Sequence, residues 1–282
     1  MNTPNPPLPP PIMISKKFKV YDKTIRDIWE SYQFHKFYLP VLHKLIKREK
    51  VPALTLPSLA ASSAQKEQKR SDTLGAISHI MSQVSPQRSL VVAVSQSELF
   101  LQYLVVRVLR DHPARLLSGS QTESPSRESK LLEILLTSSD KWEMIDRVIE
   151  EKVRALFYGA PAEFLLKDKA RLGFSDYFIS NLPKAVEAFV ECTARRNLLI
   201  HNDGRVDRKY LREVPGSAMT LGQKVTVDEA YLKTTLLTLR GLCAHAGVLV
   251  CERVYKNTVP SGRMLLRRNA LKSEKAPNNH SS

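Results

Sequence analysis

The sequence is short of cysteine, of acidic residues and of long apolar runs, and each shortage closes off a class of protein. Its cysteines are Cys192, Cys243 and Cys251, and none belongs to a Cys-x-x-Cys pair. An odd and sparse set is no disulfide framework. Cys243 and Cys251 fall in an apolar helical stretch, so they are expected as small buried hydrophobes in a reducing cytoplasm. The longest apolar-leaning stretch, 236–250, is interrupted by Arg240 and His245. It reads as too short and too polar to span a bilayer, so no membrane partner is expected. The proline-rich start lacks the apolar segment of a secretory signal. There is no Walker motif, no Gly-rich dinucleotide fingerprint and no Gly-x-Ser-x-Gly elbow, and no cofactor is expected.

What is present is basic. Lys and Arg number 43 against 28 Asp and Glu, a formal net charge of +15. Such a surface attracts polyanions by neutralising phosphates and releasing counterions, so RNA, DNA and an acidic membrane face are the partners that charge alone allows. Hydrophobic residues make up 43% of 282 residues, enough for one large core or two small ones.

Apolar periodicity is helical and β signals are few, which predicts an all-α protein. Residues 1–15 carry six prolines and read as a flexible leader. Apolar and aromatic residues from Val20 to Phe37 predict a helix over 16–39 that Pro40 stops or kinks, with one or two further turns over 41–50. Residues 58–71 read as a linker or weak helix. Ser85-Pro86 looks like an N-cap and first helical position, opening a long helix that ends at His112-Pro113. Residues 119–128 read as a loop. Asp140-x-x-Glu143 resembles a capping box for a helix closed by Gly159. Leu182-Pro183 opens a helix that runs to His201, with Gly204 as its C-cap. A short helix over 207–214 is followed by a long one from Val227-Asp228 to about Lys256. The tail 258–282 is polar and basic and is expected to be disordered. The chain thus divides into leader 1–15, N-terminal helical segment and linker 16–84, helical domain 85–257 and tail 258–282.

Chemistry concentrates at Arg195-Arg196-Asn197-Leu198-Leu199-Ile200-His201, the end of the helix opened at Pro183. Asn197 and His201 are four apart and project from one helical face. Arg196 lies off that stripe, but its side chain is long enough to reach round. A histidine moves a proton near neutral pH, and a guanidinium clamps a phosphate and neutralises charge that grows during cleavage. RNA supplies its own nucleophile, the 2′-OH, so these three groups suffice in principle without a metal.

This stretch resembles the signature of the HEPN superfamily, in the form with Asn directly after Arg and His a few residues later. The resemblance covers roughly residues 85–257. It implies an antiparallel helical bundle, here with an additional N-terminal helical segment. It also implies a metal-independent endoribonuclease in which the 2′-OH attacks the adjacent phosphate and leaves a cyclic phosphate end. Arg196 would stabilise charge, His201 would be acid and base, and Asn197 would orient one of them. Family members often carry a polar or acidic residue on the first core helix near the motif, and Glu98 is the match. The resemblance further implies a homodimer with composite sites, and a toxin or anti-phage role with an antitoxin or defence-system partner protein. Arg195 is a supporting candidate for RNA binding, or else an ordinary surface arginine. A non-catalytic HEPN module, dimeric and binding a protein, nucleotide or nucleic acid, is the rival reading; a basic scaffold that binds nucleic acid through its surface and tail is another.

The remaining constellations point elsewhere. His35 and His43 flank Pro40 without a third ligand, and His245 and Cys251 lack ligand spacing, so no metal site is expected. Tyr32, Phe34, Phe37 and Tyr38 around Lys36 read either as helix core or as an aromatic, basic RNA-binding surface.

Overall fold

The computed structural model describes residues 9–57, 65–67, 69–117, 140–157, 161–257 and 260–273. The fold is all-α, and a short antiparallel ribbon, β1 (Thr55–Pro57) paired with β2 (Gln65–Glu67), is an excursion between helices. The expected loop at 119–128, the stop at Gly159 and most of the linker lie outside the described residues.

Helix α1 (Pro10–Lys47) starts inside what the composition suggested was leader, with Pro9 at the N-cap and Pro10 and Pro11 in its first turn. Proline fits there because the first helical N–H groups have no partner in the helix to lose. Ile14, one turn later, is fully buried and fixes that start. Pro40 does not stop the helix, because buried Tyr32 and Ile46 anchor it on both sides.

Helix α2 (Arg70–His79) runs through one wide π turn (Ile80–Val84) into α3 (Ser85–Asp111). Ser85-Pro86 is therefore not a helix start. The wide turn lies directly before Pro86, where the ring would meet the carbonyl of the preceding turn, and it absorbs that clash. Ser85 instead hydrogen-bonds His35 Nδ1 on α1 at 2.9 Å. After α4 (Ala114–Leu117) comes α5 (Lys141–Phe157), whose first turn is capped as expected: Asp140 Oδ1 accepts from the Trp142 and Glu143 N–H groups at 2.6 and 2.8 Å. Short α6 (Pro161–Leu166) and α7 (Tyr177–Asn181) lead into α8 (Pro183–His201). Then follow α9 (Arg208–Glu213), capped by Asp207, and α10 (Glu229–Leu249), capped by Asp228, which continues through a second π turn at Val250–Val254.

The core is built on α3 and α10, with α1 laid against both. Phe18, Tyr21 and Phe100 form its aromatic centre, with Tyr21 stacked on Phe100 at 5.3 Å. The N-terminal helix thus shares one core with the helices that follow it.

Part of the tail is also ordered. Helix α11 (Gly262–Ser273) packs along α10, burying Met264 and Leu271, which are two turns apart on one face. Gly241 permits this contact: a Cβ there would sit 2.6 Å from Leu271 Cβ. Asp22 on α1, almost fully buried, accepts from Arg240 Nη2 at 2.7 Å and Arg267 Nε at 3.0 Å, with Arg263 at 3.7 Å. Two of the tail's arginines are thereby tied to the body of the protein. The remaining tail residues, 274–282, lie outside the described ones.

The helical spans Arg70–Asp111 and Glu229–Val254 are long and apolar enough to cross a membrane by length and composition. In the second, 83% of the apolar window is buried inside the protein, the pattern of a core helix.

Candidate active site

Ala185, Val186, Phe189 and Cys192 face α8 into the core and fix its rotation. The helix then stops just after the motif. The Leu198 carbonyl accepts both the Asn202 and the Gly204 N–H at 2.9 Å. Gly204 turns the chain with φ +69°, a conformation only glycine adopts cheaply. The chain folds back under the helix end, where Val206, Tyr210 and Val225 bury Ala194 and Leu198 in a second small cluster. Arg205 and Lys224 form an antiparallel bridge within this return.

On that frame the four positions of the motif separate sharply. Arg196 turns toward α3, where its Nη2 donates to Glu98 Oε1; the two side chains are 16% and 12% exposed. Its Nε is buried and has no hydrogen-bond partner among the described residues. An unmet donor of this kind is rare in a folded interior and calls for a role. Burial pushes the Glu98 carboxyl up, and the charge and hydrogen bond of Arg196 recover only part of that, so it stays above the ordinary glutamate value. Asn197 is half-buried and His201 exposed at the helix end, and neither side chain is in a hydrogen bond or ion pair among the described residues. Three groups with the expected chemistry, two of them uncommitted, therefore share the last two turns of α8.

Arg195 is a different matter. It is neither an RNA-facing nor an ordinary surface residue, because it is buried. Its Nε donates to Glu191 Oε1 at 2.7 Å, its Nη1 donates to the Thr226 carbonyl, and its guanidinium lies 4.2 Å from the Tyr231 ring centroid. Tyr210 and Tyr231 also donate their hydroxyls to Glu191, at 3.0 and 2.5 Å. Burial works against the Arg195 charge, but Tyr231 and Glu191 outweigh it and hold the guanidinium above its usual value. This network clamps α8 to α9 and α10 and so positions the motif. In the sequence its trace is the four-residue interval from Glu191 to Arg195, one helical turn. The two tyrosines belong to separate elements and leave no comparable trace.

One turn beyond Glu98 on α3, Gln102 begins an open groove between α3 and α5 of about 450 Å³, lined also by Val106, Glu150, Val153, Arg154 and Phe157. Among the described residues no group of three or more His, Cys, Asp or Glu side chains converges as a metal-ligand set. His245 is buried in the core, where its Nδ1 meets the Tyr177 hydroxyl at 3.0 Å.

Compared with protein-family models, curated proteins and solved structures, the chain matches none of them.

Proposed function

We propose that the chain is a metal-independent endoribonuclease of HEPN type, centred on Arg196, Asn197 and His201. The observation that carries this reading is the pairing of Arg196 with Glu98 on another helix while Asn197 and His201, on the same last turns of α8, stay uncommitted. Glu98 orients the guanidinium and leaves donors for a phosphate. His201 takes the 2′-OH proton as that oxygen attacks the adjacent phosphorus, and the imidazolium so formed gives a proton to the 5′ oxygen as its bond to phosphorus breaks. Arg196 stabilises the charge on the phosphoryl oxygens as it builds, and Asn197 orients substrate or imidazole. The products are a 2′,3′-cyclic phosphate and a 5′-hydroxyl end. The net charge of +15 and the exposed Arg205, Arg208 and Arg212 just beyond the motif suit an RNA substrate. A cytoplasmic toxin or anti-phage effector, acting as a homodimer and restrained by an antitoxin or other defence-system protein, is the setting we assign to it.

The test is incubation of the full chain and its His201→Ala variant with mixed cellular RNA in EDTA. Cleavage by the wild type alone, with cyclic phosphate ends, is the expected result. Equal cleavage by both proteins, or none by either with the fold intact, would overturn the assignment. One observation favours a second reading: Arg196 is largely buried and already ion-paired, as in a purely structural bridge. The chain would then be a non-catalytic helical module that binds a protein, nucleotide or nucleic acid, and it would leave RNA intact.

A further inference from the structure

Glu30, Phe34, Phe37, Val41 and Lys44 follow one another along α1 at intervals of four, three, four and three, and all are exposed. Phe34, Phe37 and Val41 are 62%, 68% and 48% exposed, a large apolar surface for one helix face. Asp27 and Arg48, both exposed, extend the series at its two ends, by three residues and by four. Alternation of three and four is the repeat with which one helix meets another along a seam. Tyr38 widens the seam, its ring 4.4 Å from that of Phe34 and 4.9 Å from that of Phe37.

The order of residues along this seam specifies the occupant. It runs acid, apolar, base. Laid antiparallel on itself about a two-fold axis beside Phe37, the series is self-complementary. Phe37 meets its own copy, Phe34 meets Val41, Glu30 meets Lys44 and Asp27 meets Arg48. A two-fold contact needs this property, since wherever one residue meets a second on the other copy, the second also meets the first. Parallel pairing would instead set acid on acid. A nucleic-acid strand laid along the seam would meet Asp27 and Glu30 at one end and be repelled there. Among the described residues Lys44 and Arg48 make no ion pair. Asp27 and Glu30 have, among the described residues, only exposed partners on their own helix, Lys23 at 2.5 Å and Arg26 at 3.8 Å, which contribute little. The stripe is held rigidly from behind, by Gln33 donating to Glu229 at 3.0 Å and by His35 on Ser85.

We propose that α1 is a dimerisation helix, pairing antiparallel with α1 of a second copy through Phe34, Phe37 and Val41, with Glu30 and Lys44 as reciprocal charge pairs. This does not depend on the chemistry assigned to His201.

The test is sedimentation equilibrium on the full chain, with Glu30→Lys, Lys44→Glu and the double variant. Because each substitution acts twice in a symmetric dimer, either single change is expected to raise the dissociation constant about tenfold. The double variant restores opposite charges and returns to within about threefold of wild type. Phe37→Cys is expected to form a covalent dimer on oxidation, the native cysteines being buried. All these positions are exposed, so the fold survives, which circular dichroism verifies. A wild type that stays monomeric, a double variant no better than the singles, or a dimer that Phe37→Cys fails to link would each overturn the proposal. So would protection of this stripe by a single-stranded RNA on a monomeric protein, which would give the seam to nucleic acid.

Discussion

Arg196 of α8 donates to Glu98 of α3 across 98 positions of sequence, joining the motif to the helix at the centre of the core. A buried pair of this kind is worth little over a well-packed apolar pair, but removing one member strands the other. Glu98→Ala should cost about 2 kcal/mol, since Arg196 keeps some access to solvent. Urea denaturation measures it.

The same carboxyl makes a pH prediction. Its folded pKa lies above the ordinary glutamate value of 4.5, so the folded state holds the proton more tightly than the unfolded chain. That contribution is full below the unfolded value and is lost as pH rises through the folded one. Glu98→Gln removes it, so the variant should gain stability relative to wild type as pH climbs above 4.5. A constant difference across that window would mean that Arg196 fully offsets the burial of the carboxyl.

Arg195 and Arg196 are adjacent, yet their substitutions should separate. Arg195→Ala strips Glu191 of a buried partner and Tyr231 of its stacked cation, and should destabilise by about 3 kcal/mol. Under the nuclease reading Arg196→Ala, whose pairing is a single bond to Glu98, loses cleavage out of proportion to its loss of stability. Melting curves alongside RNA cleavage distinguish the two.

Asp22 works in the opposite sense to Glu98. Burial raises its carboxyl, but the hydrogen bonds and charges of Arg240 and Arg267 outweigh this and hold it below the ordinary value of 3.8. Its contribution is present above that value and is lost as pH falls through the depressed one. Acidification below pH 3.8 should therefore loosen α11. Asp22→Ala should loosen it at neutral pH, at a cost of about 3 kcal/mol. Limited proteolysis within 262–273 reads out both.

Gly241→Ala tests the seat of α11 by packing alone. The added carbon meets Leu271 at 2.6 Å, so the helix must move, and overpacking of this kind costs about 1–3 kcal/mol. Thermal melts of the variant check the magnitude, and proteolysis within α11 checks the place.

The sequence by itself determined the all-α class, the helix ending at His201, the Gly204 turn, the cap at Asp140 and the helix starts near Asp207 and Asp228, because these rest on local periodicity and on one side chain reaching its neighbours' N–H groups. It also brought Arg196, Asn197 and His201 onto adjacent turns. Tertiary structure decided what each does next. Pro10, Pro40 and Pro86 read as leader, as stop or kink, and as start, yet all lie within continuous helices, because burial of Ile14, Ile46 and the α3 core outweighs local preference. The tail read as disordered because its charges are plain in sequence, whereas the cleft at Gly241 and the carboxylate of Asp22 that seat it lie far away in the chain. For the same reason Arg195 and Arg196 look alike in a string of letters. Only packing buries one against Tyr231 and turns the other to Glu98, because burial and partner are properties of what the chain brings near, not of the residue itself.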